Sequence, residues 1–416
     1  MGRYELKPIR TVAGARQTIL ALVIGTMMLV ATACGGNDSS GTSGGKNNAG
    51  ATSQDSASAS PTPQAVVSVT PKNGADGVET SGVLKVAAAK GTLTTVVVKD
   101  SKGNKVDGAI AGGTAWEPSG TLAANTKYTV DATAKDSAGT TTTKHTTFRT
   151  VTPKATFVGY YTPENGQTVG TGMEVSLNFN HPITDKKAIE KAVKVTASPA
   201  VDVVGHWYGN QRIDFRPKSY WAAGTKITLS LHLNGVKGAA GTYGTQSKDV
   251  HFTVGRSQVS IVDAAKDTMK VYRSGKLIKT IPITSGAPGK TTYNGKMVIT
   301  EKYKTKRMNG DTVGYEGQYD IPDVPHAMRL TSSGTFIHGN YWASKSVFGS
   351  SNVSHGCVGL SDTKGANDTS TTAYWFYTNS IIGDVVQVKN SNDKTVAWYN
   401  GLNGWNMDWS DWIKAS

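Results

Sequence analysis

The sequence predicts a mainly β protein: two immunoglobulin-like β-sandwiches, then a third β-rich domain and a short tryptophan-rich C-terminal segment. Three observations carry this. Short β-branched runs such as "VVSVTP", "TTVVVKD" and "TKYTVDATAKD" alternate with Gly, Asn and Asp turns at a spacing of about 8–12 residues, the pattern of a sandwich. The pattern then repeats: Thr70-Pro71-Lys72-Asn73-Gly74 returns as Thr162-Pro163-Glu164-Asn165-Gly166, and "HTTFRT" as "DVHFTV". After Arg256 a different β pattern begins, and it contains the residues that carry chemistry.

In chain order, residues 1–33 read as an export signal. Arg3, Lys7, Arg10 and Arg16 precede the apolar run "TILALVIGTMMLVATAC", which falls short of the ~20 residues of a spanning helix. Ala31-Thr32-Ala33-Cys34 resembles a bacterial lipobox, which implies a lipoprotein signal peptide and a lipid on Cys34. Cleavage at Ala31-Thr32-Ala33 by ordinary secretion is the alternative. Either reading places the chain outside the cytoplasm, and the lipobox reading holds it at the cell membrane facing the wall. Residues 34–64, rich in Gly and Ser, cannot bury enough apolar surface to order themselves. Some 30 residues of this composition form a flexible tether reaching on the order of 30 Å.

Residues 65–150 and 151–255 are the two sandwiches. The repeat offset is 92 residues at the first motif (162 − 70) and 104 at the last (252 − 148), so the second copy carries insertions. Without a metal-binding acidic cluster or an exposed aromatic cluster in the sequence pattern, they read as spacers. Lys plus Arg exceed Asp plus Glu by 44 − 30 = 14, which suits anionic lipid or wall polymer. The basic residues are scattered and not set among aromatics in a stripe, which excludes nucleic acid as a partner.

Residues 256–389 form the third domain. Strands are predicted at 259–262, 269–272 and 277–284, with a Ser274-Gly275 turn, and strand continues through "KMVITEKYKT" and "AMRLTSSGTFIHGN". Cys357 is one of only two cysteines, and with Cys34 lipidated or removed it is a lone thiol in an exported chain. A thiol that attacks an acyl group needs an imidazole to take its proton and a third group to fix that imidazole's tautomer. His338, at a strand end 19 residues earlier (357 − 338), and His355 are the candidates; a strand-borne His338 facing the Cys loop is the better aimed. The backbone amides of Gly356 and Cys357 are candidates for an oxyanion hole.

"IHGN" followed by "SHGCVGLSD" resembles the signature of the bacterial L,D-transpeptidases, over roughly residues 257–388. The flanking immunoglobulin-like modules and tryptophan-rich tail resemble the actinobacterial, mycobacterial-type members. The resemblance implies cleavage of the L,D amide before the D-alanine at position 4 of a peptidoglycan stem and transfer to the side-chain amine of another stem, a 3→3 cross-link. It implies Cys357 as nucleophile, His338 as base, the Gly339 carbonyl orienting that base, and Ser354, His355 and Gly356 shaping the Cys loop. A lid over about 302–323 would bring Tyr319, or Tyr315, to the donor, with Ser333 and Gly334 along the stem. Where mycobacterial members carry Asn, this chain has Gly359, and Asn340 is the candidate replacement. No metal or organic cofactor is implied, and carbapenem β-lactams are implied as inhibitors. An L,D-carboxypeptidase, or a non-catalytic wall-binding lipoprotein, is the alternative.

Residues 390–416 end the chain. Trp405, Trp409 and Trp412 fall at i, i+4 and i+7, predicting one face of a short helix that packs the catalytic domain against the second sandwich.

If Cys34 carries the lipid, Cys34→Ala shifts the protein from the detergent to the aqueous phase of a detergent partition. Equal partitioning of parent and variant would instead mark plain secretion.

Overall fold

Residues 62–415 are described by a computed structural model. The signal segment, Cys34 and nearly all of the tether lie outside the described residues. In the first sandwich, Val66–Thr70, Lys85–Ala89, Ala115–Pro118 and Gly108–Ala111 form one sheet. Ala75–Val78, Thr141–Thr150, Lys127–Lys135 and Thr92–Asp100 form the other. In Lys127–Lys135 the period of two is visible: Tyr128, Val130, Ala132 and Ala134 are buried between the sheets.

The sequence repeat is a structural repeat. Asn73 accepts the amide of Thr147 on its side-chain oxygen at 2.8 Å, and Asn165 accepts that of His251 at the same distance. The second sandwich pairs Gly159–Thr162, Val175–Phe179, Arg212–Arg216 and Val204–Tyr208 in one sheet. Thr168–Gly170, Ser247–Arg256, Lys226–His232 and Val193–Ser198 form the other. Its insertions include the helix Lys186–Ala192, capped by the Asp185 carboxylate. The two sandwiches are tied directly: the Thr80 hydroxyl donates to the Gly235 carbonyl at 2.6 Å, and Glu79 accepts from Lys237 and Tyr243.

The third domain is built on nine strands: β1 (Gln258–Asp263), β2 (Thr268–Arg273), β3 (Lys276–Thr284), β4 (Gly295–Val298), β5 (Glu301–Asn309), β6 (Asp320–Arg329), β7 (Phe336–Asn340), β8 (Val358–Ser361) and β9 (Val385–Lys389). They run β4-β9-β1-β2-β3-β8-β7-β6-β5. The β2–β3 hairpin turns at Ser274 and Gly275, both at positive φ, as a tight two-residue turn requires. "KMVITEKYKT" is not one strand: β4 ends at Val298 and β5 begins at Glu301. β3 bridges the two halves of the sheet, pairing β2 along most of its length and β8 only at Ile283 and Thr284. Side chains from both halves, among them Met269, Ile283, Met328, Ile337 and Val386, share one core with Phe376 of the helix Thr372–Thr378.

The C-terminal segment departs from its predicted form. Trp405 lies in a single turn, Gly404–Asn406, and Trp409 and Trp412 in a separate turn, Trp409–Trp412; Met407 and Asp408 between them break the helix. The predicted packing is present nonetheless. Asn403 and Asn406 accept the amides of Val298 and Lys296 of β4 at 3.1 and 2.8 Å. On the sandwich side the indoles of Trp405 and Trp412 donate to the carbonyls of Gly172 and Val204 at 2.7 and 3.0 Å. All three tryptophans surround the Arg216 guanidinium, with ring centroids 4.2–5.3 Å from its carbon. The charge is held by the ring faces and by the Met407 carbonyl at 2.9 Å.

Trp412 is fully buried, whereas Trp409 is half-buried. Trp412→Ala is therefore expected to destabilise the joint by about 3–5 kcal/mol, lowering the urea midpoint, and Trp409→Ala by less than half of that. An unchanged midpoint for Trp412→Ala would mean that the tail does not clamp the two domains.

Candidate active site

β7 and β8 are neighbouring parallel strands, in register Ile337 to Val358 and His338 to Gly359. Extending that register puts Cys357, one residue before β8, opposite Phe336. Phe336 and His338 lie on the same face of β7, and paired strands run ~4.8 Å apart. The 19 residues between His338 and Cys357 are thus closed by backbone pairing. The Phe336 amide donates to the Cys357 sulfur at 3.4 Å, and the thiol points to the Gly334 carbonyl at 3.8 Å. An amide aimed at the sulfur favours the thiolate as it forms.

His338 is buried, 5% exposed, and its Nδ1 lies 2.8 Å from the Gly339 carbonyl oxygen. A carbonyl only accepts, so Nδ1 carries the proton and Nε2 keeps its lone pair. Burial lowers the imidazole below its ordinary value, against the Gly339 carbonyl and the Asp362 carboxylate, which raise it. Burial also pushes the Cys357 thiol up to about 11, partly offset by the Phe336 amide. Both shifts favour the neutral thiol and the neutral imidazole in the resting site.

Behind this pair lies a buried contact that sequence reasoning missed. The Asp362 carboxylate bonds His326 Nδ1 at 2.7 Å and accepts from the Thr371 hydroxyl at 3.0 Å. A Cβ at Gly339 would fall 2.0 Å from Asp362 Oδ2, which is why glycine follows the histidine. The Asp in "SHGCVGLSD" was the available signal; His326, 36 residues away, had none.

A cavity of about 340 Å³ opens beside Gly356 and Gly334, walled by Lys290, Tyr315, Tyr319, Ser333 and His355. Its cover is the tip of the β5–β6 hairpin. Of the predicted lid, 302–323, Val313, Tyr315 and Tyr319 line the cavity; residues 302–309 and 320–323 belong to the paired strands β5 and β6, and the loop between them forms the tip. Both tyrosines pack on the His355 ring, at 5.3 and 5.0 Å between centroids, so both sequence alternatives face the site. Gly334, at φ +98°, is where the lid closes: a Cβ there would meet Val313 Cγ1 at 2.3 Å.

The described residues match the family of L,D-transpeptidase catalytic domains over 257–388 and that of bacterial Ig domains over 75–237. L,D-transpeptidase 2 of Mycobacterium tuberculosis is 30% identical over 403 residues, covering 95% of this chain and 94% of that protein. L,D-transpeptidase 5 of the same species is 30% identical over 367 residues, 86% and 78% of the two chains. The chain belongs to the L,D-transpeptidase family. A solved L,D-transpeptidase in complex with imipenem is 25% identical over 57% of this chain and 100% of its own, with a TM-score of 0.47.

Three further residues named from the sequence have definite places in the structure. Asn340 does not wall the cavity: it is buried, and its side-chain oxygen accepts the amides of Trp342 and Ala343 at 3.2 and 3.0 Å, capping the turn after β7. Gly359 does not wall it either. A Cβ there would meet Thr284 Cγ2 at 2.7 Å, which suits glycine at this position. The Gly356 amide, one of two candidate oxyanion donors, already donates to the Ser354 hydroxyl at 3.2 Å; that hydroxyl in turn donates to the Cys357 carbonyl at 2.6 Å. Gly356 is needed for its backbone, at φ +107°. His355 Nε2 lies 2.8 Å from Lys290 Nζ and 3.1 Å from Gln318 Oε1, which fits shaping of the loop. Trp342, which sequence reasoning also missed, stacks on His338 at 5.7 Å.

Because the thiol is neutral at rest, alkylation of Cys357 by iodoacetamide in the free protein should keep rising through pH 9 and 10. A rate already at its plateau at pH 7 would reveal a resting thiolate and exclude this proton inventory.

Proposed function

We propose that Cys357 and His338 carry out a 3→3 peptidoglycan cross-linking reaction through a thioester. What carries the reading is the bond from His338 Nδ1 to the Gly339 carbonyl: it leaves Nε2 as the acceptor, on the strand paired with the one that Cys357 precedes. Nε2 takes the thiol proton as the sulfur bonds the carbonyl carbon of the diamino acid at position 3 of a donor stem. The imidazolium returns that proton to the departing nitrogen, releasing D-alanine and leaving the acyl group on sulfur. The side-chain amine of an acceptor stem then attacks the thioester, its proton passing to Nε2 and on to the leaving sulfur. Tyr319, with Tyr315 beside it, covers the donor, and Ser333 and Gly334 border it. The lone thiol acts from the end of a two-sandwich spacer, and Cys34 would anchor the chain to the membrane. The same sulfur attacks the carbonyl of a carbapenem, whose opened ring stays as a thioester.

Incubation with disaccharide-tetrapeptide should yield a dimer lacking one D-alanine by mass spectrometry; a trimmed monomer alone would mark a carboxypeptidase, and unchanged substrate would overturn the reading. Cys357→Ala is expected to abolish the product and His338→Ala to lower its rate by about 10²-fold or more. Excess imipenem should add one equivalent of mass on the Cys357 peptide. An unshifted mass with the thiol still open to maleimide would show that the site does not activate its cysteine.

A further inference from the structure

Lys290 is the one lysine or arginine in the wall of the cavity beside Cys357, and Asp393 the one carboxylate. Its ammonium touches three groups: the Gln318 side-chain oxygen at 2.5 Å, His355 Nε2 at 2.8 Å and the Tyr315 ring at 5.8 Å. All three are uncharged acceptors, because burial and Lys290 itself both hold the His355 imidazole below its ordinary value. They aim the charge without neutralising it. No ion pair between described residues uses this lysine.

The backbone beneath Lys290 is fixed at several points. Its amide donates to the Ala287 carbonyl at 2.9 Å, the Ala287 amide donates to Ser354 of the Cys loop at 2.9 Å, and the Gly286 amide donates to the Thr292 hydroxyl at 2.9 Å. The lysine thus stands on a turn bound to the loop of the nucleophile, and its head meets the lid through Gln318. A charged group held in place, part-buried and unpaired is a prepared receptor for an anion. A stem peptide offers one chemistry of that kind, the carboxylate.

On the proposed function, we infer that Lys290 is the specificity-determining residue that selects donor stems bearing a free carboxylate over those in which it is amidated. The carboxylate displaces the neutral acceptors and makes a charge-assisted bond to the ammonium, whereas a carboxamide offers a neutral oxygen no better than Gln318 does.

Three carboxylates of a tetrapeptide stem are possible sources: that of the terminal D-alanine, that on the side chain of the diamino acid, and that at position 2. The test measures binding by calorimetry on the full chain carrying Cys357→Ala, so that donors are not consumed. The probes are disaccharide-tetrapeptide and three versions with one carboxylate each converted to carboxamide. The expected result is about a tenfold weaker Kd for one of the three. In the Lys290→Met background that difference vanishes, and Lys290→Arg restores it. Equal Kd values for all four probes, or a difference that persists with Met at 290, would overturn the inference. So would an equal loss of affinity for every probe in Lys290→Met, which would reduce the lysine to a latch for the lid. Because the readout is binding, it stands apart from the cross-linking assay, whose failure would instead strike the proposed reaction.

Discussion

Backbone pairing between Phe336–Asn340 and Val358–Ser361 is the constraint on which the site depends. The thiol and the imidazole sit on residues far apart in sequence, and nothing local draws them together. Two short parallel strands do so, buried on both faces in the manner of central strands. Their register is enforced from both sides. Ile337, Val358 and Leu360 must point into the shared core, and a slip by one residue would turn them out and Cys357 to the wrong face. Gly339 must face Asp362, where any side chain would collide with the carboxylate. The position of the base is thus a consequence of core packing, and its tautomer a consequence of the next carbonyl along the chain.

The electrostatics follow from the same burial. Burial of the His338 imidazole and part-burial of the Cys357 thiol disfavour the charged form of each, so the thiol rises and the imidazole falls. An ion pair is not stored in the resting site. The Phe336 amide and the buried Asp362 carboxylate act in the opposite direction, favouring thiolate and imidazolium as these appear. Groups placed to stabilise charge only as it develops lower the barrier more than they tighten the ground state.

Farther out, the chain returns on itself. The last residues leave the edge of the catalytic sheet, bond β4 through Asn403 and Asn406, and close over Arg216 of the second sandwich with three indoles. Val298 of β4, Leu402 and Trp405 join the hydrophobic core of that sandwich. The first sandwich is held to the second by Glu79, Thr80 and Thr121. The two sandwiches and the catalytic domain are therefore braced at each joint.

The sequence by itself determined the sandwiches, their repeat and most of the catalytic-domain strands, because each rests on local chemistry. Period-two burial and turn residues at positive φ are properties of a few adjacent residues, and the thiol and the strand-end histidine were legible as residue types, whereas only strand pairing sets them on neighbouring strands. The sequence also located the lid tyrosines and the tail's packing role. Only the tertiary structure decided the rest. Trp405, Trp409 and Trp412 have helical spacing, yet the helix breaks at Met407 because the indoles must reach the Gly172 and Val204 carbonyls and the faces of one guanidinium. Gly359 lies two residues after Cys357 and Asn340 two after His338, yet Gly359 packs against Thr284 and Asn340 caps the turn at Trp342, which only the fold decides. His326 and Lys290 come from segments with no motif, and Asp362 ends a motif whose partner His326 is 36 residues away; they take their places only where β6, the residues after β8 and the loop after β3 are set by the sheet. Side-chain periodicity is written residue by residue, whereas a contact between distant segments exists only once the sheet has set their register.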